Sequence, residues 1–77
     1  MIEKTRFGNK IHVRKFFSSD EILIGEEWMD VSGNVVIITG KSRDSNDSLW
    51  IEYQYKNGSS NEKMSISFQS RFCKIAK

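Results

Sequence analysis

Residues 34–56, NVVIITGKSRDSNDSLWIEYQYK, limit the possible folds more than any other stretch, because two β-rich runs enclose a polar loop. Val35, Val36, Ile37 and Ile38 are four β-branched apolar residues in succession, which reads as a strand covered on both faces. Gly40 follows as a bulge or a corner, and KSRDSND (41–47) forms the loop. Leu49, Ile51, Tyr53 and Tyr55 then alternate with Trp50, Glu52, Gln54 and Lys56. That period of two belongs to an antiparallel strand with one wet face.

The flanks extend this hairpin into a sheet. Residues 1–10 read as a flexible N-terminal arm and 11–77 as a single β domain, since 77 residues leave no room for a second core. IHVRKFF (11–17) alternates like a strand, and Ser19 ahead of acids predicts a single helical turn. Residues 22–31 are expected to be extended and bent at Gly25, with a short helix as the alternative. Turns are expected at 32–34 and at Asn57-Gly58. Met64, Ile66 and Phe68 alternate with Ser65 and Ser67 as a returning strand, 69–72 reads as a short irregular or 3-10 passage, and Cys73 and Ile75 close the chain in a last short strand.

Four or five short strands joined by tight turns predict an all-β fold, and closure into a barrel removes exposed edges. A one-turn element ahead of a short final strand resembles the SH3-like barrels. The layout Gly25-Glu-Glu-Trp28-x-Asp30-x-x-Gly33-Asn34, Leu49-Trp50-Ile51-x-Tyr53 and Phe68-Gln69-x-Arg71-Phe72 is similar to small uncharacterised SH3-like proteins of bacteriophages and bacteria. The resemblance covers about residues 25–75. It implies a small SH3-like barrel of four to five antiparallel strands with a short 3-10 turn before the last strand, and a phage origin. It implies no active site.

Little here suits catalysis. One histidine, His12, and one cysteine, Cys73, are too few for a metal site. A lone cysteine in an alternating strand behaves as a small hydrophobe. Glu26 and Glu27 are neighbours, so on a strand they point to opposite faces and do not converge as an acid–base pair. The glycines are isolated and form no phosphate loop. The expectation is a non-enzyme with no cofactor and no metal. A single cysteine, the lack of an apolar run long enough to span a membrane and the lack of a leader pattern predict a cytoplasmic protein, in a host cytoplasm if phage-encoded, with no membrane partner.

Binding is the better prospect. The strand parity that buries Leu49 and Ile51 turns Trp50 outward, where an indole can anchor a protein or stack a base; packing of Phe16 or Phe17 on Trp50 is the alternative. Charge is unevenly distributed: +4 over 1–17, −5 over 18–34, zero over 35–56 and +3 over 57–77. Arg14, Lys15, Lys41, Arg43, Lys56, Arg71 and Lys74, with Lys63, could contact phosphates. Glu26, Glu27 and Asp30 form a candidate acidic docking patch. The leading expectation is a protein-interaction module, a phage-encoded modulator of a host protein, that is monomeric or weakly dimeric. An RNA- or DNA-binding barrel using the basic residues and Trp50 is the alternative, and a structural homo-oligomer is the third.

Overall fold

The computed structural model describes residues 16–75 in full and Ile2–Lys4 and Lys10–His12 by their backbone. In chain order the elements are β1 (Ile2–Lys4), β2 (Lys10–His12), a 3-10 turn (Ser19–Glu21), β3 (Glu27–Asp30), β4 (Val35–Arg43), β5 (Leu49–Tyr55), β6 (Ser60–Met64), α1 (Ser65–Arg71) and β7 (Phe72–Lys74). β1 and β2 pair antiparallel as a separate ribbon, with Glu3 opposite Ile11. The other five strands form one antiparallel sheet in the order β6-β5-β4-β3-β7. The chain is mostly β, as expected. The sheet is open, because its edge strands β6 and β7 do not pair with each other.

Turn chemistry sets the meander. Gly33 (φ 89°) and Gly58 (φ 96°) take left-handed backbone at the β3–β4 and β5–β6 turns, where a side chain would be strained. Asp30 secures the first turn by accepting from the Ser32 amide at 2.9 Å and the Asn34 amide at 2.8 Å. Before β3 the chain bends at Gly25 (φ 90°), and 22–26 lies outside any helix or strand. The expected helical turn is the 3-10 turn, started by Ser18 and Glu21 in a reciprocal capping box.

Strand β4 carries an extra residue. Ile38 faces Tyr53 and Gly40 faces Glu52, so Thr39 is looped into the ladder as a bulge. Val36 and Ile38 are fully buried on the inner face, but Ile37 is 38% exposed on the outer one. The strand expected to be covered on both faces is therefore covered on one. The outer side is closed only near β3, where Met29 is buried.

The inner face holds the core. Trp28, Val36, Ile38, Ile51, Tyr53 and Phe72 project from the sheet, and Phe17, Ile22 and Phe68 cover them. Trp28 packs edge-on to Phe17 at 5.6 Å and tilted on Phe68 at 5.0 Å, while Phe68 stacks on Phe72 at 4.6 Å. Each fully buried side chain of this size contributes about 1.5–3 kcal/mol.

Two expectations about the C-terminal third are corrected here. The returning strand stops at Met64, and the passage before β7 is an α-helix, not a 3-10 turn. Ser65, Phe68 and Phe72 are buried whereas Ile66 is 69% exposed. Spacings of three and four between the buried positions are a helical stripe, and they outweigh the shorter alternation of Met64, Ile66 and Phe68.

Candidate functional site

Gln69 of α1 holds the covering segment in place. Its Oε1 accepts from the Phe17 amide at 2.8 Å, and its Nε2 donates to the Phe17 carbonyl at 3.0 Å and to Ser65 Oγ at 2.8 Å. The side-chain amide thus pairs with a backbone as another strand would, and satisfies polar groups that burial would otherwise penalise. Toward β3 and β7 the cover is complete. Glu26 accepts from Trp28 Nε1 at 2.8 Å and pairs with Lys74 Nζ at 3.0 Å. Lys74 also donates to the Glu21 carbonyl at 3.0 Å and lies 4.7 Å from the Phe17 ring centre.

Toward the β4–β5 hairpin the cover ends, leaving a cleft of about 400 Å³. Phe16, Phe17, Leu49, Met64 and Ile66 supply its apolar wall, with Arg43, Asp47 and Ser48 along the loop side. Phe16 is 61% exposed and Met64 36%. With Ile66, which is 69% exposed, they place apolar area at the mouth.

The loop wall is organised by Asp44. Its Oδ1 accepts from the amides of Asn46 at 2.9 Å and Ser48 at 3.0 Å, and its Oδ2 accepts from Trp50 Nε1 at 2.9 Å. The Trp50 hydrogen bond, followed by that of Ser48, holds the Asp44 carboxyl below its ordinary value of 3.8. Arg43 closes the loop by donating to the Asp47 carbonyl at 2.9 Å, with the Asp47 carboxylate 3.8 Å away.

Among the described residues, the sequence-predicted site residues do not gather on one surface. Trp50 is half-buried on the outer face opposite Ser42 and Met64, and Phe17 packs on Trp28. Lys41 is half-buried, donating to the Ser19 carbonyl at 2.7 Å. Lys74 is drawn into the covered end. Lys63 lies opposite Ile51 on the inner side. Lys56 is exposed at the β5–β6 turn beside a second, shallower groove with Gly33, Asn34 and Tyr55. Arg71 is exposed at the end of α1. Arg14 and Lys15 lie outside the described residues. Of the three acids, Glu26 is inside the fold, Asp30 serves its turn, and Glu27 is half-buried opposite Ile37.

Burial pushes the Cys73 thiol up from its ordinary value. Among the described residues no three His, Cys, Asp or Glu side chains gather where they could hold a metal ion. No helix of the described residues is long and apolar enough to cross a membrane. Comparison of the chain with known protein families, curated proteins and solved structures finds no match.

Sequence reasoning missed the cleft. Phe16, Leu49, Met64 and Ile66 look like core positions in the pattern, and only the point at which the cover stops distinguishes them. The signal for Asp44 was present, since an Asp that opens a Ser/Asn/Asp loop commonly bonds backbone amides ahead of it.

Proposed function

We propose that this chain is a protein-binding module that takes an apolar side chain of its partner into the cleft between Phe16, Leu49 and Ile66. What carries the proposal is the exposed apolar mouth formed by Phe16, Met64 and Ile66 around a wall pre-formed by Asp44. Side chains held in place before binding lose little entropy on association.

An SH3-like origin of the fold fits the strand order, in which a meander of four strands is followed by a short fifth that returns to pair with the first of them. The resemblance to small phage proteins extends the proposal to a host protein as partner. A nucleic-acid role has less support: Lys41, Arg43 and Lys74 each have a hydrogen-bond or ion-pair partner within the fold. Lys56 and Arg71 are exposed on different elements.

Selection of peptides from a displayed random library, followed by amide chemical-shift mapping of the selected sequences, tests the proposal. The expected shifts fall on Phe16, Arg43, Leu49 and 64–66. Failure to select any peptide, or shifts at these residues only with a single-stranded oligonucleotide, would overturn it.

A further inference from the structure

β6 is an open edge of the sheet. It pairs with β5 alone, and Ser60, Asn61, Glu62 and Met64 are exposed. Every second residue of such a strand turns its backbone N–H and C=O away from the sheet, which makes the edge a template for one more strand. Charge restricts what can be added. On the outer face Glu62 stands directly opposite Glu52, and Glu52 stands opposite Gly40. Like charges directly opposite each other destabilise a sheet.

Among the described residues the ion pairs are Arg43–Asp47 and Lys74–Glu26, so neither Glu52 nor Glu62 has a cationic partner among them. Glu52 leans over Gly40 instead: its Oε1 lies 3.1 Å from the point that a Cβ on residue 40 would occupy. Glu62 is left as the charge at the rim.

Resting on the protein-binding role proposed above, we infer that β6 is the docking strand for an extended peptide segment carrying a basic side chain opposite Glu62. Arginine or lysine at that position continues the row Gly40, Glu52, Glu62 with the charge it lacks. The same row discriminates against a second copy of this chain. If two β6 strands paired antiparallel over their full length, each Glu62 would face its counterpart, with a Glu52 behind each. Side chains of a docked strand alternate, so the neighbours of the basic residue turn inward, toward Lys63 and the cleft mouth.

The test uses two short synthetic peptides of alternating threonine and valine, one with arginine at its centre and one with glutamate, titrated into the isotope-labelled full chain. The arginine peptide is expected to shift the amides of Ser60–Met64, slow their hydrogen exchange and bind about tenfold more tightly than the glutamate peptide. Glu62→Lys is expected to reverse that order and Glu62→Gln to abolish it. Any of three results would overturn the inference: equal or absent binding of both peptides, a preference unchanged in both variants, or full binding after N-methylation of the amides facing β6. Loss of the arginine preference while library-selected peptides still shift Phe16 and Ile66 would remove the β6 edge and leave the cleft standing. The arginine preference without any selected peptide would do the reverse.

Discussion

The two ends of the inner face are made of similar residues and finish differently. At the β3–β7 end Trp28 is 1% exposed beneath Phe17 and Phe68, and Glu26 and Lys74 neutralise each other at its rim. At the hairpin end Phe16, the residue before Phe17, is 61% exposed over a cleft. Hydrophobicity does not separate the two ends. What separates them is where α1 can hold the covering segment: among the described residues Gln69 grips the backbone of Phe17 and not that of Phe16. The lesson is that a small sheet with a partial cover keeps apolar area exposed at the residues the cover does not reach.

The largest expected effect tests the covered end. Trp28→Ala should cost about 3–5 kcal/mol, measured by urea unfolding, because it empties the centre of an aromatic cluster. Phe16→Ala should stay within about 0.5 kcal/mol of the parent. If both cost the same, the contrast between the ends is lost. Next comes the rim of the covered end. Glu26→Gln keeps an oxygen for Trp28 Nε1 but leaves the Lys74 ammonium without its counter-charge, for about 1–3 kcal/mol. A double-mutant cycle with Lys74→Met should recover part of that loss, and full additivity would show that the pair is not coupled.

A smaller effect sharpens the open end. Ile66→Asp should leave the unfolding midpoint nearly unchanged and weaken a library-selected peptide by about 1–2 kcal/mol, read by fluorescence anisotropy. A stability loss without an affinity loss would place Ile66 in the core instead. The smallest effect concerns Asp44. A carboxyl with a lowered folded-state pKa adds stability that is fully present above its unfolded value of 3.8 and is lost as pH falls through the lower folded value. The Trp50 Nε1 proton resonance should therefore hold steady through the ordinary carboxylate range and move only in stronger acid. A midpoint at or above the ordinary value would show that the indole does not bond Asp44.

The sheet was legible because its signals are local. Period-two alternation marked β5, Asn57-Gly58 marked the β5–β6 turn, and Gly40 marked the bulge. Less legible was anything decided by contact between distant segments. Met64, Ile66 and Phe68 alternate as a strand does, and it is the packing of Phe68 between Trp28 and Tyr53 that selects the helix. The basic residues looked equivalent in the sequence. Lys41 and Lys74 are set apart by backbone carbonyls more than twenty residues away, at Ser19 and Glu21. The cleft was hidden for the same reason, as a property of where the cover stops.

The bulge at Thr39 acts on β4 as a frameshift acts on a coding message. Upstream, Val36 and Ile38 keep the inner face; downstream, Lys41 and Arg43 take the inner side opposite Ile51 and Leu49, while Ser42 joins Trp50 outside. Deleting Thr39 would leave Gly40, Lys41, Ser42 and Arg43 on the faces they already hold, whereas forcing Thr39 into the ladder would exchange the destinations of everything after it, sending both cations outward and Ser42 inward. The address of Arg43 at the cleft wall is thus written several residues upstream, in a threonine with no paired residue on a neighbouring strand.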